Sequence, residues 1–206
     1  MPAYAANHYE LKDINGKTIY IPLTSKKYDL RTPVRWDGLG KLDTESLKYN
    51  KKALSVETYP DYTYMYILPK KIGTYNFSFK LKKAGKKTEY TFKVKVFKLT
   101  KLPFTSIKYG SRTIKLDYSM KYTFSEGPLG SNKLFKAGTV SAKFKIALRK
   151  GWSVKSAVLT HNGKSKKVSL NKKVTYKSLS DFVTFTFEDK NHNLLDFILY
   201  GALGNG

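Results

Sequence analysis

At 206 residues, 41% hydrophobic and 15% aromatic, the chain is long enough for two β-sandwiches of about 100 residues each and too apolar to be disordered. It has no Cys, which excludes disulfides, thiol catalysis and Cys-ligated zinc. Lys and Arg total 39 against 15 acids, a net charge of +24, yet only Arg31, Arg35, Arg112 and Arg149 are Arg. Specific nucleic-acid readers lean on the planar Arg fork, so no specific nucleic-acid partner is expected. The charge divides evenly along the chain: 20 basic and 9 acidic residues over 1–98, then 19 and 6 over 99–206. That evenness reads as a general surface habit, and +24 should still attract polyanions in a salt-dependent way.

In chain order, Pro2 to Asn7 has the small-residue pattern of a signal-peptide end, and residues 1–8 read as a leader. Residues 9–14 and 17–23 flank Asn15-Gly16, a hairpin-turn signal. Residues 28–36 read as a strand interrupted by Pro33, residues 42–58 as one or two short strands, and 62–68 as another. Tyr75, Phe77, Phe79 and Leu81, then Tyr90, Phe92, Val94 and Val96, alternate with polar residues around Ala84-Gly85, which predicts a half-buried antiparallel hairpin. Residues 99–105, with Pro103, read as a linker. Short strands are expected at 112–118 and 120–124, with a loop over 127–132. Val140 to Leu148 alternates as a strand, Lys150-Gly151 turns the chain, and Trp152 continues an inward register. Asn162-Gly163 is a second hairpin signal, and Val183 to Phe187 leads through Asp189–Asn193 into Leu195 to Leu199. Gly201 to Gly206 reads as a flexible tail. No segment has a helical apolar period, and no apolar run approaches the roughly 20 residues a membrane helix needs.

The stretch Leu68-Pro69-Lys70-Lys71-Ile72-Gly73-Thr74-Tyr75 resembles the corner between strands E and F of bacterial immunoglobulin-like domains. The resemblance implies that Pro69 and Gly73 shape the bend and that Tyr75 anchors it through its hydroxyl, a tyrosine corner. Residues 148–156, Asn162-Gly163-Lys164 and Lys172-Lys173 resemble Lys-rich modules in secreted and surface proteins of Gram-positive gut bacteria. The resemblance implies an all-β fold of two tandem antiparallel immunoglobulin-like β-sandwiches, over residues 9–98 and 106–200. It also implies a spacer, stalk or adhesion role, and brings with it an internal Lys–Asn cross-link as an option that no motif here selects.

Candidate chemistry is sparse. His8, His161 and His192 are far apart in sequence, although the last two both lie near turns and could meet. Asp189, Asn191 and Asn193 have the spacing of the first ligands of a calcium loop, but Leu194 replaces its Gly and Tyr200 its final acid, so a polar turn is the better reading. No metal site or cofactor is expected. Glu57 with Asp61, or Glu188 with Asp189, could pair as glycosidase carboxylates, but any acids in a sandwich yield such pairs. The chain is therefore not expected to be an enzyme. Tyr59, Tyr62, Tyr64 and Tyr66, with Trp36 nearby, form the best binding candidate. On an exposed strand face they would make a flat platform for sugars, where Lys neighbours would favour acidic glycans; on the other face they would be core.

The expectation is a monomeric module of a larger secreted or cell-surface protein. It would be non-catalytic, structural or adhesive, in contact with anionic polysaccharide, host surface glycan or protein. A carbohydrate-binding module of a larger enzyme is the alternative.

Overall fold

The structure, a computed structural model, describes residues 9–24, 32–114, 140–178 and 180–200. These residues are almost all strand, and the chain divides into two compact units, one within Ala6–Thr100 and one within Lys101–Gly206. The expected leader, the start of the 28–36 strand, His8, most of the 112–124 strands, the 127–132 loop and the tail lie outside the described residues.

In the first unit, β1 (Tyr9–Glu10), a one-turn helix α1 (Leu11–Ile14) and β2 (Thr18–Thr24) come first. They are followed by β3 (Thr32–Arg35), β4 (Lys41–Lys48), β5 (Leu54–Tyr59), a 3₁₀ turn (Pro60–Tyr62), β6 (Tyr64–Pro69), β7 (Gly73–Lys83) and β8 (Lys86–Leu99). They form two four-stranded sheets of order β1-β3-β6-β5 and β2-β8-β7-β4. Period-2 alternation explains why the sheets pair face to face. Met65 and Ile67 on β6, Val34 on β3, Phe77, Phe79 and Leu81 on β7, and Phe92 and Val94 on β8 all point into one core. Phe77 stacks on Phe92 at 4.9 Å between ring centroids, and Trp36 leans on Phe79 at 5.8 Å.

Asn15-Gly16 does not close a hairpin. β2 lies parallel to β8, with Ile19 opposite Val94, and β1 lies parallel to β3. The two residues instead dock on β8. Gly16 N donates to Thr91 O at 2.7 Å, and Thr91 N donates to Asn15 Oδ1 at 3.0 Å. The chain passes between sheets at 69–75, where the Tyr75 hydroxyl faces the carbonyls of Ile72 (2.9 Å) and Lys71 (3.2 Å). Gly73 has φ +151°, and a Cβ there would meet that hydroxyl at 2.6 Å. Only glycine fits this bend without displacing Tyr75.

In the second unit, β9 (Phe104–Tyr109), β10 (Arg112–Ile114), β11 (Val140–Ala142), β12 (Phe144–Leu148), β13 (Trp152–His161), β14 (Lys164–Lys167), β15 (Val174–Tyr176), β16 (Phe182–Asp189) and β17 (Leu194–Tyr200) form sheets of order β10-β9-β12, β11-β15 and β14-β13-β16-β17. Phe104, Phe144, Phe185 and Phe187 centre its core. Leu99 ends β8 and Phe104 starts β9, both buried, so the stretch outside strands is shorter than the 99–105 linker read from sequence. The alternating run 140–148 is not one strand either. It breaks at Lys143, β11 pairing with β15 and β12 with β9. Tyr109 holds the break: its hydroxyl donates to Val174 O (2.7 Å) and accepts from Ala142 N (3.0 Å), and burial raises its pKa. Asn162-Gly163 does join β13 to β14, with φ +47° and +72°, a two-residue left-handed turn.

Candidate functional site: the tyrosine face of the first unit

Strand β6 decides which tyrosines reach solvent. Met65 and Ile67 are fully buried, so Tyr64 and Tyr66 must point away from the core. Strand pairing then fixes their neighbours. Arg35 of β3 and Tyr59 of β5 lie on either side of Tyr64, and Glu10 of β1 lies beside Arg35. A row Glu10–Arg35–Tyr64–Tyr59 therefore crosses all four strands. Glu57 lies opposite Tyr66. Tyr62 caps the end of this face from the 3₁₀ turn and is 71% exposed, the most exposed large hydrophobic side chain among the described residues.

The rings touch. Tyr59 stacks on Tyr64 (5.0 Å, 20°), and Tyr66 meets both edge-on (5.8 Å from Tyr59, 5.3 Å from Tyr64). Tyr62 leans on Tyr64 at 6.1 Å and 41°. The Arg35 guanidinium lies 6.0 Å from the Tyr64 ring centroid, within cation–π range. The surface is thus a packed cluster whose most exposed ring is Tyr62, rather than a flat floor. Its charged members, Arg35 with Glu10 and Glu57, are one cation and two anions.

The turn that presents Tyr62 is held by the backbone. Trp36 N donates to Thr63 O (2.9 Å), and the Thr63 hydroxyl bonds to Asp37. Thr63 itself is at φ +54°, a left-handed conformation rare for Thr.

Trp36 is not part of this surface. It has no solvent exposure and belongs to the core beside Phe79. The reason is alternation: Val34 and Trp36 share the inward register, and Arg35 between them takes the outward one. In sequence Glu57 stands out only as a carboxylate near Asp61, and nothing local sets it, Arg35 or Glu10 beside the tyrosines. Only the pairing of strands far apart in the chain brings them beside the tyrosines.

The other candidates resolve into local structure. His161 and His192 sit at opposite ends of β13, since Thr160 pairs with Phe182 and Trp152 with Asp189. Ten residues of strand span about 30 Å, so they do not meet. His161 Nδ1 bonds the buried Asp181 at 2.7 Å. Burial alone would raise the Asp181 pKa, but bonds from Ser178, His161 and the Lys177 and Ser178 amides outweigh it and hold the carboxyl at about 2. Asp189 caps its own turn, accepting from Asn191 N, Asn193 N and Asn193 Nδ2. Glu188 is held by Lys155 (3.1 Å) and His192 (3.0 Å), whose hydrogen bonds lower its pKa. Both carboxylates are thus committed to neighbours. Among the described residues, no group of three or more His, Cys, Asp or Glu is placed to hold a metal, and no helix is long and apolar enough to cross a membrane.

No protein-family model matches this chain, and no curated protein does. Among solved structures, it is similar to SGBP-B of the Bacteroides ovatus mixed-linkage glucan utilization locus, in complex with a mixed-linkage heptasaccharide. The match has 14% identity, covers 89% of this chain, and has a TM-score of 0.22. This chain spans 63% of that chain's length. A likeness that slight decides neither fold nor function.

Proposed function

We propose that this chain is a non-catalytic, extracellular glycan-binding protein whose first unit, an immunoglobulin-like sandwich, contacts a neutral saccharide through Tyr62, Tyr64, Tyr59 and Tyr66. The observation that carries the reading is the placement of four tyrosines on the outward face of one sheet while Met65 and Ile67 of the same strand fill the core. Phenol rings supply apolar area at small entropic cost, and their hydroxyls bond to water or to a polar ligand. A sugar needs both kinds of contact. Arg35 is outnumbered by Glu10 and Glu57, which favours a neutral sugar over an anionic one. The strand order and the Tyr75 bonds support the immunoglobulin-like reading of this unit.

A spacer or adhesion role is the second reading. It is favoured by the way Tyr59, Tyr64 and Tyr66 spend much of their ring area on each other.

Retention of the full chain on neutral polysaccharides (mixed-linkage β-glucan, xyloglucan, mannan, cellulose and chitin) in 0.5 M NaCl separates the two. Retention on at least one, lost in Tyr62→Ala, is the expected result. Retention on none, or equal retention of the variant, overturns the glycan reading. Tyr62 is exposed enough that its truncation should leave the fold intact.

A further inference from the structure

The outward face of the other sheet of the first unit has the opposite chemistry. Register places Lys41, Lys82 and Lys87 side by side in one row across β4, β7 and β8. Two residues nearer the sheet centre, Lys80 stands between Asp43 and Glu89. Farther along β8, Lys93 lies between Thr18 and Asn76, and Lys95 between Tyr20 and Thr74. The inward neighbours Phe92, Val94 and Val96 are buried, so alternation sends these lysines to solvent.

Cationic strand faces are common, but two features here are not explained by solubility. First, like charges directly opposite each other destabilise a ladder, yet this row sets three lysines abreast. Asp43 is the carboxylate that answers them, 3.0 Å from Lys87 and 3.5 Å from Lys82. Second, the lysines are segregated. The outward strand positions of β3, β5 and β6 hold Pro33, Arg35, Ser55, Glu57, Tyr59, Tyr64, Tyr66 and Leu68, and no lysine. An even charge count along the chain therefore conceals a strong division between two faces of one unit.

We infer that the outward face of β4-β7-β8-β2 binds a linear anionic polysaccharide bearing carboxylate or sulfate groups, independently of the tyrosine face. Lys41, Lys82 and Lys87 stand about 5 Å apart across strands, and Lys80 and Lys82, like Lys93 and Lys95, about 7 Å apart along them, which makes an array of point charges over the face. Such an array suits a chain that carries several anions and demands no single docking geometry. A nucleic acid fits less well. The face has no Arg fork, and its aromatic ring, Tyr20, is covered by Lys95 at 5.7 Å, which leaves no surface for stacking bases.

The test is fluorescence polarisation of a labelled heparin-derived dodecasaccharide with the full chain, from 50 to 300 mM NaCl. One variant carries Lys82→Gln, Lys87→Gln and Lys93→Gln. A control carries Lys164→Gln, Lys166→Gln and Lys167→Gln, the same charge change on β14 of the second unit, where all three are exposed. The face variant should weaken binding at least tenfold at 100 mM and flatten the dependence of log Kd on log salt by about two. The control should change Kd less than threefold. Equal losses from both variants, or no binding at 50 mM, overturn the proposal. So does an oligothymidine of matched charge that binds as tightly with the same variant dependence. If the triple variant fails to fold, Lys93→Gln alone is read instead, with a loss of about threefold expected and no change contradicting the proposal.

Discussion

On β6 the outward positions include Tyr64 and Tyr66; on β8, across the same core, they are Lys87, Glu89, Thr91, Lys93 and Lys95. The inward positions of the two strands are interchangeable in kind, Met65 and Ile67 against Phe92 and Val94, all buried. The core thus asks only for apolar volume at every second residue. What separates the faces is carried wholly by the residues between, which the core leaves free to vary. One face is aromatic and near neutral, so its contacts should survive salt. The other is cationic, so its contacts should not.

The most damaging change to this pair of faces should be Gly73→Ala. The bend from β6 to β7 is where the chain leaves the tyrosine sheet for the lysine sheet, and a Cβ there collides with the Tyr75 hydroxyl. A loss of about 2–3 kcal/mol is expected from backbone strain and the broken hydrogen bond, read by denaturant unfolding. A loss below 0.5 kcal/mol would mean that the two sheets hold together without this corner. Tyr62→Ala should follow, weakening any neutral glycan at least tenfold, about 1.4 kcal/mol, with stability unchanged. Tyr75→Phe keeps the ring and removes the bond, so about 1 kcal/mol should be lost in the same unfolding experiment.

Lys82→Thr should have the smallest effect and the opposite sign, a gain of a few tenths of a kcal/mol that fades in high salt, because Asp43 keeps Lys87 as partner. A clear loss would show that the lysine row is stabilising and needs no ligand to explain it. Acid sharpens the same point. The Asp43 pKa is lowered chiefly by its hydrogen bond to Lys87. Its contribution is therefore present above its ordinary value of 3.8 and lost as pH falls below it. In the second unit, Asp181 should behave likewise between about pH 4 and its folded value of about 2. Thermal melts from pH 5 to pH 2 should show falling stability. Asp43→Asn should remove part of the slope in the first unit and leave the second unchanged.

Much of this was legible in the residues. The alternation over 75–96 is strong enough to specify a hairpin, an inward face and an outward one, and Phe77 opposite Phe92 follows from it. The tyrosines at 59–66 stood out by density alone. Pairing between distant strands was not legible. Asn15-Gly16 has the chemistry of a tight turn, but the backbone bonds it satisfies lie on Thr91, and no local signal names a partner 76 residues away. Trp36 stands out as an aromatic near the tyrosines, but its parity with Val34 sends it into the core. The division of lysines between faces escaped a count along the chain because a face is a property of register. The strand break at Lys143 had no signal in the sequence, since Val140 to Leu148 alternates straight through it.

The most direct test of two faces with two ligands is a single glycan array, run with the parent, Tyr62→Ala and the Lys82/Lys87/Lys93→Gln variant at 50 and 500 mM NaCl. A double dissociation is expected. Neutral glycans should be bound at both salt concentrations and lost only with the tyrosine change, while acidic glycans should be bound at low salt and lost only with the lysine changes. If both variants lose the same glycans, the faces do not act separately and the account is wrong.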